Sequence, residues 1–119
     1  MLNHVSSWYA DVIWEGLSTA HVRAGFNGHL DLPTLRSLWR PISPKCFTHL
    51  VGSRPALAVY ALWDLSFPLP LSKEFIEDAR RHGVPTTVRV LPCGHYTTGK
   101  APFKFIDGYY MASFLRRRL

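Results

Sequence analysis

The chain has 119 residues, of which 47% are hydrophobic and 18% charged; this composition is typical of one globular domain and excludes a disordered tail. Its formal net charge of +6 favours acidic partners such as nucleic acid, but the distribution of the basic residues along the sequence argues against such a partner. Five of the fourteen lie in two runs, 80–81 and 116–118, at the ends of predicted helices, where cations offset the helix dipole. We therefore expect no nucleic-acid partner.

The N-terminal region, 1–54, is predicted to be helical. The spacing of Trp8, Val12 and Leu17 predicts one amphipathic helix that ends at 25–28. A second helix is predicted to begin at an Asp31 N-cap and to end before Pro41, with one apolar face formed by Leu35, Leu38 and Trp39. Residues 41–55 are rich in proline and serine, which indicates a connector.

The remainder, 55–119, has the pattern of an α/β unit. The apolar run PALAVYALWD at 55–64 predicts a strand buried on both faces, and PTTVRVLPC at 85–93 predicts a second strand. A helix is predicted between them, with an apolar face formed by Leu71, Phe75, Ile76 and Ala79 and a cap at Gly83. The chain closes with a helix whose apolar face is Phe103, Ile106, Tyr110 and Phe114. Strand, helix, strand, helix is the order of a right-handed parallel crossover, so the fold class is α/β.

Asp64 and His95 each follow the end of one predicted strand. Because parallel strands end at the same edge of a sheet, where ligands and catalytic groups gather, Asp64 is placed to orient His95. An aspartate that precedes a histidine in the chain also matches the triad order Ser, Asp, His. Two structural alternatives stay open: Asp64 as a turn former ahead of 67–68, and His95 as a structural histidine.

These residues resemble a known family. The segments VYALWDLSFP and VRVLPCGHYTTG, with the terminal helix, resemble the C-terminal portion of bacterial α/β-hydrolases, and 1–54 resembles the helical, cap-like insertion that precedes it. The resemblance implies a partial α/β-hydrolase fold in which Asp64 is the triad acid and His95 the triad base. It also implies a serine-esterase type of hydrolase acting on an ester, thioester or similar acyl substrate.

A nucleophile is harder to find. The family places it in a G-x-S-x-G elbow after a strand, and the nearest match, at 16–20 with Ser18 in the centre, follows a helical pattern instead. Cys93 is two residues from His95, which leaves little room for a substrate, so we interpret it as a packing residue. Two predicted strands also cannot cover their apolar faces, so we expect the fold to be incomplete: a truncated product, half of a split enzyme, or a shortened relative that associates through a strand edge.

The predicted function is therefore that of a C-terminal fragment of an acyl hydrolase, inactive alone. The alternative is a non-catalytic module that binds a partner or itself. We expect neither a cofactor nor a metal, because there is no phosphate-binding loop and the other histidines, His4, His21, His29, His49 and His82, follow no metal-ligand spacing.

The sequence also predicts a cytoplasmic protein with no membrane partner. Cys46 and Cys93 are too few for a disulfide framework, which is typical of a reducing compartment. Residues 1–16 lack the basic segment and apolar core of a secretory signal, and no apolar run reaches the length that spans a bilayer.

Overall fold

A computed structural model describes residues 2–3 and 5–118 of the chain. Their principal elements are β1 (Leu2–Asn3), α1 (Tyr9–Glu15), α2 (Ala20–Gly25), α3 (Leu32–Leu38), β2 (Ala56–Ala61), α4 (Leu69–Arg81), β3 (Thr86–Leu91) and α5 (Phe103–Arg116). Short 3₁₀ turns occupy Arg40–Ile42, Pro44–Cys46, Thr48–Leu50 and His95–Thr97. The fold class is α/β, as predicted.

The strands form one parallel sheet in the order β1-β2-β3. β2 and β3 pair over their full lengths, from Ala56 beside Thr86 to Ala61 beside Leu91, which confirms the predicted parallel crossover. The sequence predicted only two strands, whereas Leu2 and Asn3 pair with the other side of β2 and form a third, β1. Two residues are too few for strand periodicity to be visible in the sequence.

β2 is buried in the middle of this sheet, as predicted from its apolar run. One face, formed by Leu57, Val59 and Ala61, packs together with Leu91 and Cys93. Apolar residues of α5 cover this face: Phe103, Ile106, Tyr110, Met111 and Phe114. The opposite face packs against α4 and the turn that follows it, where Ala56 clusters with Ala79 and Val84. The predicted apolar faces of α4 and α5 are therefore the faces that cover the sheet.

β3 lies at one edge of the sheet and is more exposed than β2. Within the described part of the chain its only strand partner is β2, and both Arg89 and Val90 are exposed. Alternate residues of β3 face opposite sides, so Thr87 and Arg89 lie on the side that α5 covers. An edge strand with a charged side chain is typical of natural sheets.

The single helix predicted after Trp8 is in fact two helices that separate at Gly16. A Cβ added to Gly16 would lie 2.5 Å from the carbonyl oxygen of Val12 and 2.8 Å from that of Ser66. The glycine therefore permits a close contact between the end of α1 and the turn after β2. This contact joins residues distant in sequence, so helical periodicity gives no sign of it.

α3 begins where the sequence predicts. The side chain of Asp31 accepts a hydrogen bond from the Thr34 backbone N–H at 2.9 Å, which is the N-cap geometry. The predicted apolar face is only partly correct, because Leu35 is buried whereas Leu38 is 63% exposed. The connector that follows is a series of 3₁₀ turns.

Two buried carboxylates hold the helical region and the connector in place. Asp11 accepts two hydrogen bonds from the Arg36 guanidinium, both at 2.7 Å, and so joins α1 to α3. Asp78 of α4 accepts from the Lys45 ammonium group and so joins α4 to the connector. A paired buried carboxylate is strongly destabilising when it loses its partner. Within the described residues, no helix is both long and apolar enough to cross a bilayer.

The contact at Gly16 predicts a difference between two Gly→Ala substitutions. Gly16→Ala is expected to lower the free energy of unfolding by about 1–3 kcal/mol, because the new methyl group has no space. Gly25→Ala is the matched control, since a Cβ there meets no atom within 4 Å and alanine favours the helix. Urea unfolding followed by tryptophan fluorescence measures both. Equal stabilities for the two variants would contradict the proposed close contact.

Candidate functional site

Asp64 and His95 meet at the carboxyl end of the sheet. The Nδ1 atom of His95 lies 3.0 Å from the Oδ2 atom of Asp64. Hydrogen bonds between the two chain segments continue beyond the strands, from the Leu62 N–H to the Leu91 carbonyl and from the Trp63 N–H to the Cys93 carbonyl. The structure therefore brings together the two residues that the sequence singled out, at the predicted edge. Their catalytic role stays a prediction.

The Asp64 carboxylate uses its two oxygens for different tasks. Oδ1 accepts hydrogen bonds from the backbone N–H groups of Ser66 and Phe67, both at 2.8 Å, which forms the turn after β2. Oδ2 faces His95, and the Asp64 side chain is only 1% exposed. Asp64 therefore forms the turn after β2 and also contacts His95, while its catalytic role stays a prediction.

The His95 ring is held by aromatic residues as well as by Asp64. The Phe67 ring is stacked on it, with the centroids 5.7 Å apart and the planes 17° apart. Tyr96 meets it edge-on at 5.2 Å. The side chain is 28% exposed, so part of the imidazole reaches solvent. A carboxylate only accepts hydrogen bonds, so the Nδ1 atom that faces Asp64 carries the proton. In the neutral ring Nε2 is then the acceptor.

A short turn after β3 presents the histidine. Gly94 precedes it, and the Gly94 N–H donates to the Thr97 hydroxyl at 2.9 Å. A Cβ on Gly94 would lie 3.3 Å from the Trp63 carbonyl oxygen, so the two strand ends approach closely here. The Thr98 hydroxyl donates to the His95 carbonyl at 2.7 Å. These contacts fix the backbone on both sides of the imidazole.

His95 lines a cavity of about 400 Å³ at this edge. Its walls are largely apolar side chains that are exposed, with Trp63 at 62% and Tyr96 at 74%. The helical region completes the wall with Leu17 and Ser18. The Leu17 N–H donates to the Leu65 carbonyl at 2.8 Å, which ties this wall to the turn after Asp64.

Ser18 therefore lies nearer the site than its sequence context suggested. It lines the same cavity as His95, but its hydroxyl donates to the Ser66 hydroxyl at 2.8 Å. The Ser18 hydroxyl is therefore engaged in a hydrogen bond with Ser66. The preceding element is helix α1, and the strand that a nucleophile elbow requires is absent from that position.

Cys93 is a packing residue, as predicted. Its side chain lies in the core cluster with Leu57, Val59 and Leu91, and the residue is 3% exposed. Burial raises the pKa of the Cys93 thiol, the nearby Asp64 charge adds to this rise, and a hydrogen bond with Thr97 opposes it. A thiol with a raised pKa is a poor nucleophile near neutral pH.

Two further hydroxyls follow β1 at the same edge of the sheet, and the sequence interpretation missed them. Both Ser6 and Ser7 are buried; Ser6 Oγ donates to the Trp8 carbonyl, and Ser7 Oγ has no hydrogen-bond partner among the described residues. Neither lines the cavity beside His95. Their placement depends on β1, which is too short to be recognised from its sequence.

Among residues 2–3 and 5–118, no group of three or more His, Cys, Asp or Glu side chains is arranged to hold a metal ion. His4, which the sequence interpretation included among the histidines without metal-ligand spacing, lies outside the described residues.

Comparisons of the chain with protein-family models, with curated proteins and with solved structures found no match. The functional interpretation of the site therefore depends on its own geometry and chemistry.

The raised pKa predicts how Cys93 reacts. In a Cys46→Ser variant, alkylation of Cys93 by iodoacetamide is expected to be slow at neutral pH and to accelerate only above the usual thiol range, because the folded state favours the protonated form. As the pH rises, the Cys93 thiol ionises in the unfolded chain before it ionises in the folded one. Its contribution to the stability of the folded state is therefore lost in the alkaline range. Mass spectrometry of the labelled chain measures the rate. The same chain in urea is the control, and coinciding pH curves in the two states would disprove the expectation.

Proposed function

We propose that Asp64 and His95 form the acid–base pair of an acyl hydrolase of the α/β-hydrolase type. The observation that carries the proposal is the 3.0 Å contact between Nδ1 and Oδ2 at the carboxyl end of two adjacent parallel strands. Ligands of open α/β sheets bind at this edge, and an aspartate bonded to Nδ1 is the arrangement that prepares a histidine for proton transfer. The resemblance of 55–119 to α/β-hydrolases supports the same assignment.

In this proposal His95 moves the proton and Asp64 does not. Nε2 of His95 takes the proton of a serine hydroxyl as the serine attacks an acyl carbonyl, and then gives it to the leaving group. Asp64 stays ionised, keeps the imidazole in one orientation and stabilises the imidazolium that forms. The two backbone N–H groups on Oδ1 hold the carboxylate in place during these steps.

The serine in this proposal comes from a G-x-S-x-G segment outside the present sequence. Two observations favour an external nucleophile: the Ser18 hydroxyl is hydrogen-bonded to the Ser66 hydroxyl, and the Cys93 thiol is buried with a raised pKa. The 119-residue chain would then be the C-terminal portion of the hydrolase and inactive alone. Residues 1–54 would act as a cap that supplies one wall of the cavity, against which the acyl chain of an ester or thioester would lie.

The second candidate is a non-catalytic module that binds a partner or a second copy of itself. It is favoured by the exposed apolar side chains around His95, which include Leu17, Trp63, Leu65 and Tyr96. Exposed apolar residues that lie together commonly mark an interaction surface. This candidate requires the surface but not the proton chemistry of Asp64 and His95.

The hydrolase proposal is tested by restoring the nucleophile. Genomic DNA upstream of the Met1 codon, translated in all frames, is expected to encode a G-x-S-x-G between a strand and a helix. The chain joined to that segment is expected to hydrolyse p-nitrophenyl butyrate, and His95→Ala is expected to lower kcat/KM by about 10³-fold or more. His29→Ala is the matched control, because His29 is exposed and does not line the cavity.

Two results would overturn this proposal. Turnover by the isolated 119-residue chain, lost on His95→Ala, would place the nucleophile inside the present sequence. Equal turnover by the joined chain and its His95→Ala variant would remove the histidine from the reaction. If the joined chain is inactive, and sedimentation shows a complex that Asp64→Ala and His95→Ala leave intact, the interaction module is the correct function.

A further inference from the structure

A second cavity lies between the edge strand β3 and helix α5. Its volume is about 320 Å³, within the range of small-molecule sites. Leu57 of β2 and residues at the C-terminal end of α5 line it. None of the residues that line the cavity beside His95 lines this one, so the two cavities are separate sites.

Three arginines converge on this cavity: Arg89 from β3, and Arg117 and Arg118 from the end of α5. Among the described residues that line it, none is acidic, so the three positive charges have no carboxylate partner within the cavity wall. The negative end of the α5 dipole is equivalent to only about half an elementary charge. The positive charge of these three described arginines is therefore larger than a helix end neutralises.

Aromatic rings hold two of these guanidinium groups in place. The Arg89 Cζ lies 5.6 Å from the centre of the Tyr110 ring. The Arg118 Cζ lies 3.7 Å from the centre of the Phe114 ring, and its Nη1 donates to the Phe114 carbonyl at 3.2 Å. Stacking of this kind orders the guanidinium plane and leaves further N–H groups for a ligand. Less side-chain entropy is then lost when an anion binds.

The other lining residues favour a phosphate group with an aromatic or apolar substituent. Thr87 and Ser113 bring hydroxyl groups, which donate to phosphate oxygens. Guanidinium forks match phosphate oxygens two at a time, and a doubly charged group balances several arginines better than a single carboxylate does. Tyr109 also lines the cavity and is 67% exposed, so its ring is accessible for stacking.

We propose that the cavity between β3 and α5 binds a small phosphate monoester, with the phosphate held by Arg89, Arg117 and Arg118 and the organic part against the tyrosines. The three arginines line a single, partly open cavity of about 320 Å³, a size that favours a small ligand over a nucleic-acid strand. These three arginines belong to the excess of basic residues in the chain, and none of them lines the cavity beside His95.

The probe for this site is phenyl phosphate, titrated into the 119-residue chain by isothermal calorimetry at low salt. Saturable binding at one site per chain is expected, with weaker binding of inorganic phosphate and none of phenol. Arg89→Gln and Arg117→Gln are each expected to weaken binding about tenfold or more, the effect of losing a charge-assisted hydrogen bond. Arg116→Gln is the matched control, because it removes the same charge from the same helix end at a residue that does not line the cavity.

Several outcomes would overturn the proposal. One is the absence of saturable binding at millimolar phenyl phosphate. Another is a loss of affinity in Arg116→Gln equal to that in Arg89→Gln and Arg117→Gln. A third is equal affinity for benzoate, which would indicate a general anion surface. Tighter binding of a single-stranded oligonucleotide, lost in the same two variants, would make this a nucleic-acid site. All four arginines at issue are exposed, so failure to fold is not expected, and circular dichroism of each variant checks this.

Discussion

The hydrogen bonds between β2 and β3 continue past the last residue of each strand, and the contact between Asp64 and His95 depends on that continuation. The two side chains come from segments separated by a whole helix, α4. Parallel pairing places the segments side by side, and the bonds made by Leu62 and Trp63 keep them in register up to the turns. If one strand shifted by one residue relative to its neighbour, its side chains would move to the opposite face of the sheet, because side chains alternate along a strand. The same register also builds the core, since it aligns Leu57, Val59 and Leu91 under α5.

The Asp64 carboxylate connects the parallel pair of strands to the His95 imidazole. One oxygen holds the turn that ends β2, and the other holds the imidazole, so the position of His95 is determined by backbone as well as by side-chain contacts. A buried carboxylate that accepts two backbone N–H bonds and faces a histidine has its charge largely satisfied. The apolar cavity then lies beside a histidine whose surroundings are rigid on one side and open on the other.

Most of the α/β unit could be predicted from its sequence because its signals are local. The unbroken apolar run of β2, the amphipathic pattern of α4 and the Asp31 cap each occupy a few neighbouring residues, and the structure has all three. The proximity of Asp64 and His95 followed from strand order alone. What could not be predicted depends on contacts between distant segments. Gly16 lies against Ser66, and Phe67 reaches His95 because of the turn that Asp64 forms after β2. The strand β1 is shorter than any periodic signal, so the third strand and the serines after it were missed.

Gly16 lies in close backbone contact with the turn at 64–67. A Cβ added there would lie 2.8 Å from the Ser66 carbonyl oxygen, and the N–H of the next residue, Leu17, donates to the Leu65 carbonyl. A larger side chain at position 16 therefore displaces the turn whose first residue holds His95. Substitutions in these two segments do not act independently, since residues in contact have coupled effects. In evolutionary terms, residue 16 and the turn form one unit: among relatives of this chain we expect a departure from glycine at position 16 to be accompanied by a change in the turn.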